Sequence, residues 1–589
     1  MLTIFAIIPL AAAALVALLL RNRRASGYVA LAASLLSLIF VLYLLADNPG
    51  PQSMTWFSVS GLTLGIGTSL QPLNVLLLLL VAVVTPIALV YSLGFMTVPS
   101  EQGRYYFGMC LSAAAMMLLA VSSDFITLLM GWELLSLSSY LLIGFWYRSE
   151  RAQDAARKSM TSLLIGDILM FAAILLVWNA YGTLSFSAAL QGHASPAVAV
   201  ALVLIMAAAF TKSAQFPFHE WLPDAVESPV PSSAFMLSST VAKAGVFLLA
   251  VLLPLFAMYG LLNIMVIFGA ITALLGVSNA LAETRIKRLL AYSTMENLGL
   301  MTVALGLNAL TAAMLLFVAQ TFYTALLFMC AGAMIRANDN EDDIYRLRGP
   351  HMRTPFFIAM LIGVVSVAGV LPLSGFFASS SIAAAASSSS LPVYLVLLLA
   401  GLAGSVYIFK WLFVPMRPGA RSALKGMYGA LPKSFLVPIY ALAVLAVISI
   451  FAYLYLPAFL NAHGTVALGM TLESAALESI VALAGLALAY GLYMNASPYN
   501  LKAHRRLYSA LYNGAWVSIF YLGVARAALA VSRAVYTFDR ALSVFMRGVT
   551  STAARLGSVL RIMVDGREDL YASVFVLGVI AAIALFIVW

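Results

Sequence analysis

Charge is what this sequence has least of. Of its 589 residues only 9% are Asp, Glu, Lys or Arg, while 63% are hydrophobic. Soluble domains carry about a quarter charged residues, so a soluble fold of this length is excluded. Cysteine is nearly absent too. Cys110 and Cys330 stand in separate apolar runs, which suggests neither a disulfide framework nor a thiolate metal site. No Gly-rich phosphate loop and no paired-His metal motif is present. The Ser/Thr-rich tract at 377–391 is no nucleophile signature without a base. The chain therefore offers no redox, hydrolytic or cofactor-binding centre of its own.

The net charge of +10 would point to nucleic acid in a soluble protein. In a chain of mean hydropathy +1.01 it points instead to basic loops on one side of a membrane, and no nucleic-acid partner is expected. The fold class is an all-α polytopic membrane protein with the lipid bilayer as its surroundings. Windows of about 20 apolar residues place about sixteen spans. Among them are 124–147, 157–178, 195–214, 232–257, 288–308 and 311–335, with tight separations at 122–123 and 309–310. The first run, Met1–Leu20, lacks a basic leader and reads as a retained span. When loops are numbered alternately by side, nearly every Lys and Arg falls on one side, including Arg21, Arg23, Arg24, Arg104, Arg285, Arg353, Arg421 and Lys425. That side is expected to be cytoplasmic, with both termini outside.

Residues 515–565 differ from the spans. Arg526, Arg533, Arg540 and Arg547 recur every seven residues, as do Val535, Leu542, Val549 and Leu556 on a nearly opposite line. This predicts one amphipathic helix of about 50 residues, roughly 75 Å long, from Asn513-Gly514 to Asp565-Gly566. It is too polar to span. It reads either as an interfacial anchor or as a lateral strut across neighbouring subunits, re-pinned by a terminal anchor at 570–589.

The chemistry gathers in 212–243, KSAQFPFHEWLPDAVESPVPSSAFMLSSTVAK. Two lysines, Lys212 and Lys243, lie in apolar helices either side of a proline-broken segment. A lysine in hydrocarbon costs a few kcal/mol on insertion scales and is kept where it lines a polar path or finds a partner. Broken backbone at membrane depth is tolerated only inside protein or against a water-filled cavity. Glu133 and Asp167 are near the middle of their own spans. Burial favours the neutral form of each group, and pairing restores both charges. A Glu133–Lys212 pair that opens and closes would make a lysine proton labile; a static buried salt bridge is the plainer alternative. Glu220, Asp224 and Glu227 read as a proton inlet or as a solvated acidic loop. Glu296 is expected to pair with Arg285 or Arg288.

The stretches WELLSLSSYLLIGFW (132–146), TKSAQFPFHEWLPDAVESPVPSSAF (211–235), STVAKAGVFLL (239–249) and RIKRLLAYSTMENLGLM (285–301) resemble the antiporter-like proton-pumping subunits of respiratory complex I. The L-type chain is the most similar; the wider group includes Mrp antiporters and membrane-bound hydrogenases. The resemblance implies N-terminal helices over 1–104 and two inverted five-helix repeats, 105–257 and 260–416, broken near Pro217 and Pro372. Further helices at 435–494 follow. It implies proton-pathway roles for Glu133, Asp167, Lys212 and Lys243. The second half departs from the family pattern. Gln320 and Thr324 stand where titratable residues are usual, and Ser379 replaces a lysine in GFFASS. Gln320, Tyr323, Thr324 and Ser379 could form a polar relay, yet none stores a proton near neutral pH.

The expected function is a proton-translocating subunit of a complex-I-like NADH-quinone oxidoreductase. Its partners would be other membrane subunits, with flavin, iron–sulfur or nickel centres in partner chains. Two rivals remain. One is an Mrp-type Na⁺/H⁺ antiporter or hydrogenase subunit. The other is a non-pumping end-piece that braces a membrane arm.

Overall fold

The structure is a computed structural model describing residues 2–20, 24–59, 62–190, 195–352, 354–417, 431–460, 472–495, 515–563 and 568–588. Arg21, Arg23, Arg353, Arg421, Lys425, Asn513-Gly514 and Asp565-Gly566 lie outside the described residues. The chain divides into two units, Met1–Tyr512 and Asn513–Trp589.

The first unit is helical apart from one antiparallel hairpin, β1 (Gln52–Val59) with β2 (Leu62–Thr68). The apolar windows alone predict no strand in that stretch. The helices of this unit are α1 (Ile8–Leu20), α2 (Ala25–Asp47), α3 (Pro72–Phe95), α4 (Pro99–Val121), α5 (Phe125–Ile143), α6 (Glu150–Tyr181), α7 (Phe186–Leu190) and α8 (Pro196–Lys212). They continue as α9 (Val230–Ser238), α10 (Val241–Val251), α11 (Leu253–Met258), α12 (Leu262–Ala282), α13 (Ile286–Gly306) and α14 (Leu310–Ala337). The last of this unit are α15 (Pro355–Val367), α16 (Ser374–Ser389), α17 (Leu391–Phe413), α18 (Lys433–Ile448), α19 (Phe451–Leu460) and α20 (Leu472–Tyr493).

Among the described residues eleven helices are long and apolar enough to cross a membrane, or twelve if the α18–α19 pair, bent by 64°, counts as one. Other expected positions also hold helices, but α1, α8 and α15 are shorter, and α13 carries the polar run Tyr292–Asn297. A count of sixteen crossings therefore remains an expectation.

Local chemistry explains the boundaries. The tight separation at 122–123 works because Asp124 caps α5: its Oδ1 accepts the Thr127 N–H at 2.8 Å, while its Oδ2 accepts the Gly67 N–H at 2.8 Å. Between α13 and α14 the turn is closed by Asn308 at φ 58. Proline opens α3, α8 and α15 within the first turn, where its missing N–H costs nothing.

Helices are interrupted at both expected places. The chain leaves α8 at Lys212 and resumes at Val230; it leaves α15 at Val367 and resumes at Ser374. A third interruption was not foreseen. Ser239 and Thr240 separate α9 from α10, three residues before Lys243. Both hydroxyls donate to the Phe235 carbonyl, at 3.2 and 3.3 Å, so local side-chain bonds compete with the helix ladder here.

Close packing between α12 and α13 needs small residues. A Cβ on Gly276 would lie 2.6 Å from the Glu296 amide nitrogen, and one on Gly299 would lie 2.6 Å from that of Ala273. Backbones thus approach directly, as in membrane bundles generally.

The second unit holds a 49-residue helix, Ala515–Met563, and a final apolar helix, Glu568–Val588. Within this unit the line Val535, Leu542, Val549 and Leu556 is exposed.

Candidate functional site

Lys212, the last residue of α8, is 0% exposed, as a side chain that leaves a broken helix into the bundle must be. Its Nζ donates to the Trp132 carbonyl at 2.9 Å and to Ser136 Oγ, both on α5. It lies 4.8 Å from the centre of the Trp132 ring. Its ion-pair partner is Asp167 on α6, at 3.4 Å and 4% exposed. Ser136 in turn donates to Asp167 Oδ2 at 2.8 Å, so one hydroxyl bridges both charges. Trp132 and Ser136 are four residues apart and share a helix face.

This corrects the expected Glu133–Lys212 pair. Glu133 is near enough to interact electrostatically with both Asp167 and Lys212, yet it is exposed on the outside of the isolated chain. The reason is azimuth. Glu133 is one residue, about 100°, around the helix from Trp132, and the face toward Lys212 is taken by Trp132 and Ser136.

Lys243 is also 0% exposed. Its Nζ donates to the Phe317 carbonyl and to Thr321 Oγ1 on α14, and sits 4.1 Å from the centre of the Phe317 ring. Among the described residues no carboxylate lies within ion-pair distance of it. The two lysines flank a close crossing of α8 and α10, where the Val246 N–H donates to Ser213 Oγ at 2.9 Å.

The expected relay of the second half is only partly brought together. Gln320 is buried on α14 and donates to the Leu237 carbonyl at 3.4 Å. Tyr323 donates to Asn297 Oδ1 at 2.8 Å. Thr324 is buried nearby, but Ser379 donates to the Phe376 carbonyl of its own helix at 3.1 Å, and no hydrogen bond joins it to the other three.

Glu220, Asp224 and Glu227 are engaged in ion pairs. Lys158 holds Glu220 at 2.9 Å and Asp224 at 3.0 Å; Arg288 holds Asp224 at 2.7 Å; Arg285 holds Glu227 at 3.1 Å. They tie α6, the break and the start of α13 together beneath an open cleft of about 430 Å³. Arg288 also meets Glu283 at 3.1 Å. Burial pushes the Glu283 carboxyl up, but the Arg285 and Thr284 amides and the two guanidinium charges outweigh it and hold the carboxyl below its ordinary range.

Glu296 is therefore not the partner of Arg285 or Arg288. It is 5% exposed and takes a hydrogen bond from Tyr407 on α17. Its distance along the chain could have shown this. Eleven residues of helix separate it from Arg285, roughly 16 Å, well inside the membrane.

Ionisable groups buried among helices that are interrupted near their centres define a class, integral membrane proteins built around a polar path. Residues 122–404 match the family described as NADH:quinone oxidoreductase/Mrp antiporter, TM, and residues 56–107 match NADH-Ubiquinone oxidoreductase (complex I), chain 5 N-terminus. NAD(P)H-quinone oxidoreductase chain 5 of a Synechocystis species is 30% identical over 407 residues, 65% of this chain and 60% of that one. NADH-quinone oxidoreductase subunit L of Mycobacterium tuberculosis is 34% identical, over 64% of this chain and 62% of its own length. The match thus spans about three fifths of these relatives. Among solved structures, the Mrp complex from a Dietzia species shares the fold at TM-score 0.74 and 22% identity, covering 100% of this chain and 63% of that one. An archaeal membrane-bound sulfane sulfur reductase shares it at TM-score 0.68 and 20% identity, covering 82% of this chain and 99% of that one. The chain belongs to the NADH:quinone oxidoreductase/Mrp antiporter membrane-subunit family, and its curated relatives are of the L or chain 5 type.

Proposed function

We propose that this chain is a proton-translocating subunit of a complex-I-like respiratory oxidoreductase in a bacterial or archaeal cytoplasmic membrane. The observation that carries the reading is the pair of wholly buried lysines, one ion-paired to Asp167 and the other held only by neutral groups. A buried ammonium deprived of its counter-ion gives up its proton more readily. Drawing Asp167 away from Lys212, with Glu133 as the exposed carboxylate through which a neighbouring subunit acts, would release that proton toward Lys243. Residues 105–257 and 260–416 are the two repeats on this reading. Electron-transfer centres (flavin, iron–sulfur or nickel) belong to partner chains. The basic loops and the 49-residue helix lie on the cytoplasmic side, both termini lie outside, and the helix contacts neighbouring membrane subunits. Glu220, Asp224 and Glu227 line the inlet as an ion-paired collar.

The test is proton uptake by energised membrane vesicles, with redox turnover recorded in parallel, for wild type, Lys212→Ala and Glu133→Gln. Both variants are expected to assemble and to lose most uptake. Unchanged uptake and turnover in fully assembled complex would refute the reading and leave the bracing role. Sodium-dependent activity would move the chain to the antiporter alternative.

A further inference from the structure

The second half lacks the usual lysines of its relay, but it does contain a buried carboxylate with no cation. Glu296 lies on α13, the second helix of the second set of five, as Glu133 lies on α5 in the first. Among the described residues no ion pair includes it. Each cation that could reach it is held elsewhere: Arg288 by Asp224 and Glu283, Arg285 by Glu227, and Lys410 by the Leu281 and Glu283 carbonyls at 2.7 Å each. Its surroundings are shaped to the carboxylate. A Cβ on Gly404 of α17 would lie 2.8 Å from Glu296 Oε1, so only glycine leaves that oxygen its place. The Tyr407 hydroxyl is in contact with both Glu296 Oε2 and, at 2.8 Å, Ser293 Oγ. A phenol has one proton, so it donates in one contact and accepts in the other. This hydroxyl can therefore serve either the ionised or the protonated carboxyl.

Polar groups approach Glu296 from the Lys243 side. Lys243 holds Thr321, and less than one helical turn further along α14 Tyr323 donates to Asn297, the neighbour of Glu296. On the other side α17 leads to a second buried carboxyl. Glu478 on α20 is 7% exposed, and a Cβ on Gly401 would lie 3.7 Å from its Oε2. Cβ positions three apart on a helix are about 5–6 Å from each other, which puts the two carboxylates within about 12 Å. Glu478 is in the second turn of α20, whose start lies opposite the basic loops when loops are numbered alternately.

We propose that Glu296, hydrogen-bonded to Tyr407, is the proton-holding group of the second half, and that Glu478 is the next acceptor on the way out. The proposal rests on the translocation reading above. In the first step an N–H bond at Lys243 breaks and an O–H bond forms at Glu296, through hydroxyls and bridging water. In the second that O–H bond breaks and one forms at Glu478, which regenerates the Glu296 carboxylate. The missing lysines are then not a loss of the exit but a change of its position, from α14 and α16 to α13, α17 and α20.

The experiment measures protons taken up per redox turnover in vesicles containing the whole complex, for Lys212→Ala, Glu296→Gln, Glu296→Asp and Glu478→Gln. Glu296→Gln and Glu478→Gln should each lose as much uptake as Lys212→Ala, and Glu296→Asp should recover most of it. If Lys212→Ala loses uptake while Glu296→Gln keeps the wild-type ratio, translocation stands and this exit is overturned. If Glu478→Gln alone keeps that ratio, the outward step is overturned. If Lys212→Ala itself keeps it, the translocation reading falls first. Should Glu296→Gln fail to assemble, infrared difference spectra of turning-over wild type and Tyr407→Phe decide. A protonated-carboxyl band that appears during turnover and shifts when the phenol is removed is expected; its absence overturns the proposal.

Discussion

Replacing Asp167 with asparagine removes one charge from the centre of the first half and leaves its shape. Asparagine is isosteric with aspartate, so Ser136 can still donate to the side chain, but Lys212 Nζ loses the negative charge 3.4 Å away. With Lys212 0% and Asp167 4% exposed, water cannot stand in for that charge. Stranding one member of a buried pair costs about 3–5 kcal/mol. Glu133 interacts with both members and offsets part of this, which puts the cost near the lower end, about 3 kcal/mol. At about 1.4 kcal/mol per tenfold, that is more than a hundredfold in the folding equilibrium. Adding Lys212→Met removes the stranded charge, so the double variant should recover at least about 1 kcal/mol relative to the sum of the singles. The assay is equilibrium or thermal unfolding of the four proteins of the cycle in one detergent or nanodisc. If the two single losses simply add, within about 0.5 kcal/mol, Asp167 and Lys212 are not an energetic pair and the reasoning fails.

Gly245→Ala should loosen the crossing between the two lysines. Its Cβ would fall 2.1 Å from the Ala209 carbonyl oxygen and 2.4 Å from Ser213 Oγ, so α10 must shift, at about 1–3 kcal/mol. A lowered unfolding midpoint is expected, and an unchanged one would show that α8 and α10 are not in close contact. Glu283→Gln should flatten the acid limb of stability. The Glu283 carboxyl is held below its ordinary range, so its contribution is complete above the unfolded-state value and disappears as pH falls through the folded-state value. Wild type should therefore lose stability on acidification more steeply than the variant, and parallel pH profiles would contradict this.

Much of the molecule was legible in the sequence because hydrocarbon leaves few choices. A spanning backbone must satisfy its own hydrogen bonds, so apolar length alone places helices, and a charge inside such a run is conspicuous. Lys212, Lys243, Asp167 and Glu133 were found in that way, as were the interruptions near Pro217 and Pro372. The interruption beside Lys243 was not, since three hydroxyl residues in a helix are ordinary until they bond back to the Phe235 carbonyl.

Partnership, by contrast, came from the folded bundle. Span positions fix depth, but rotation about each helix axis is set by packing against neighbours. Rotation gave Lys212 to Asp167 and turned Glu133 outward. It set Gly404 and Tyr407 against Glu296, at a depth where Arg285 and Arg288 cannot follow, and left those arginines to Glu227, Asp224 and Glu283. The amino-acid order is enough to say which groups are forced into the membrane, because the cost of burial belongs to each residue alone. Which of them meet depends on contacts between helices far apart in the chain, and those exist only once the helices have packed.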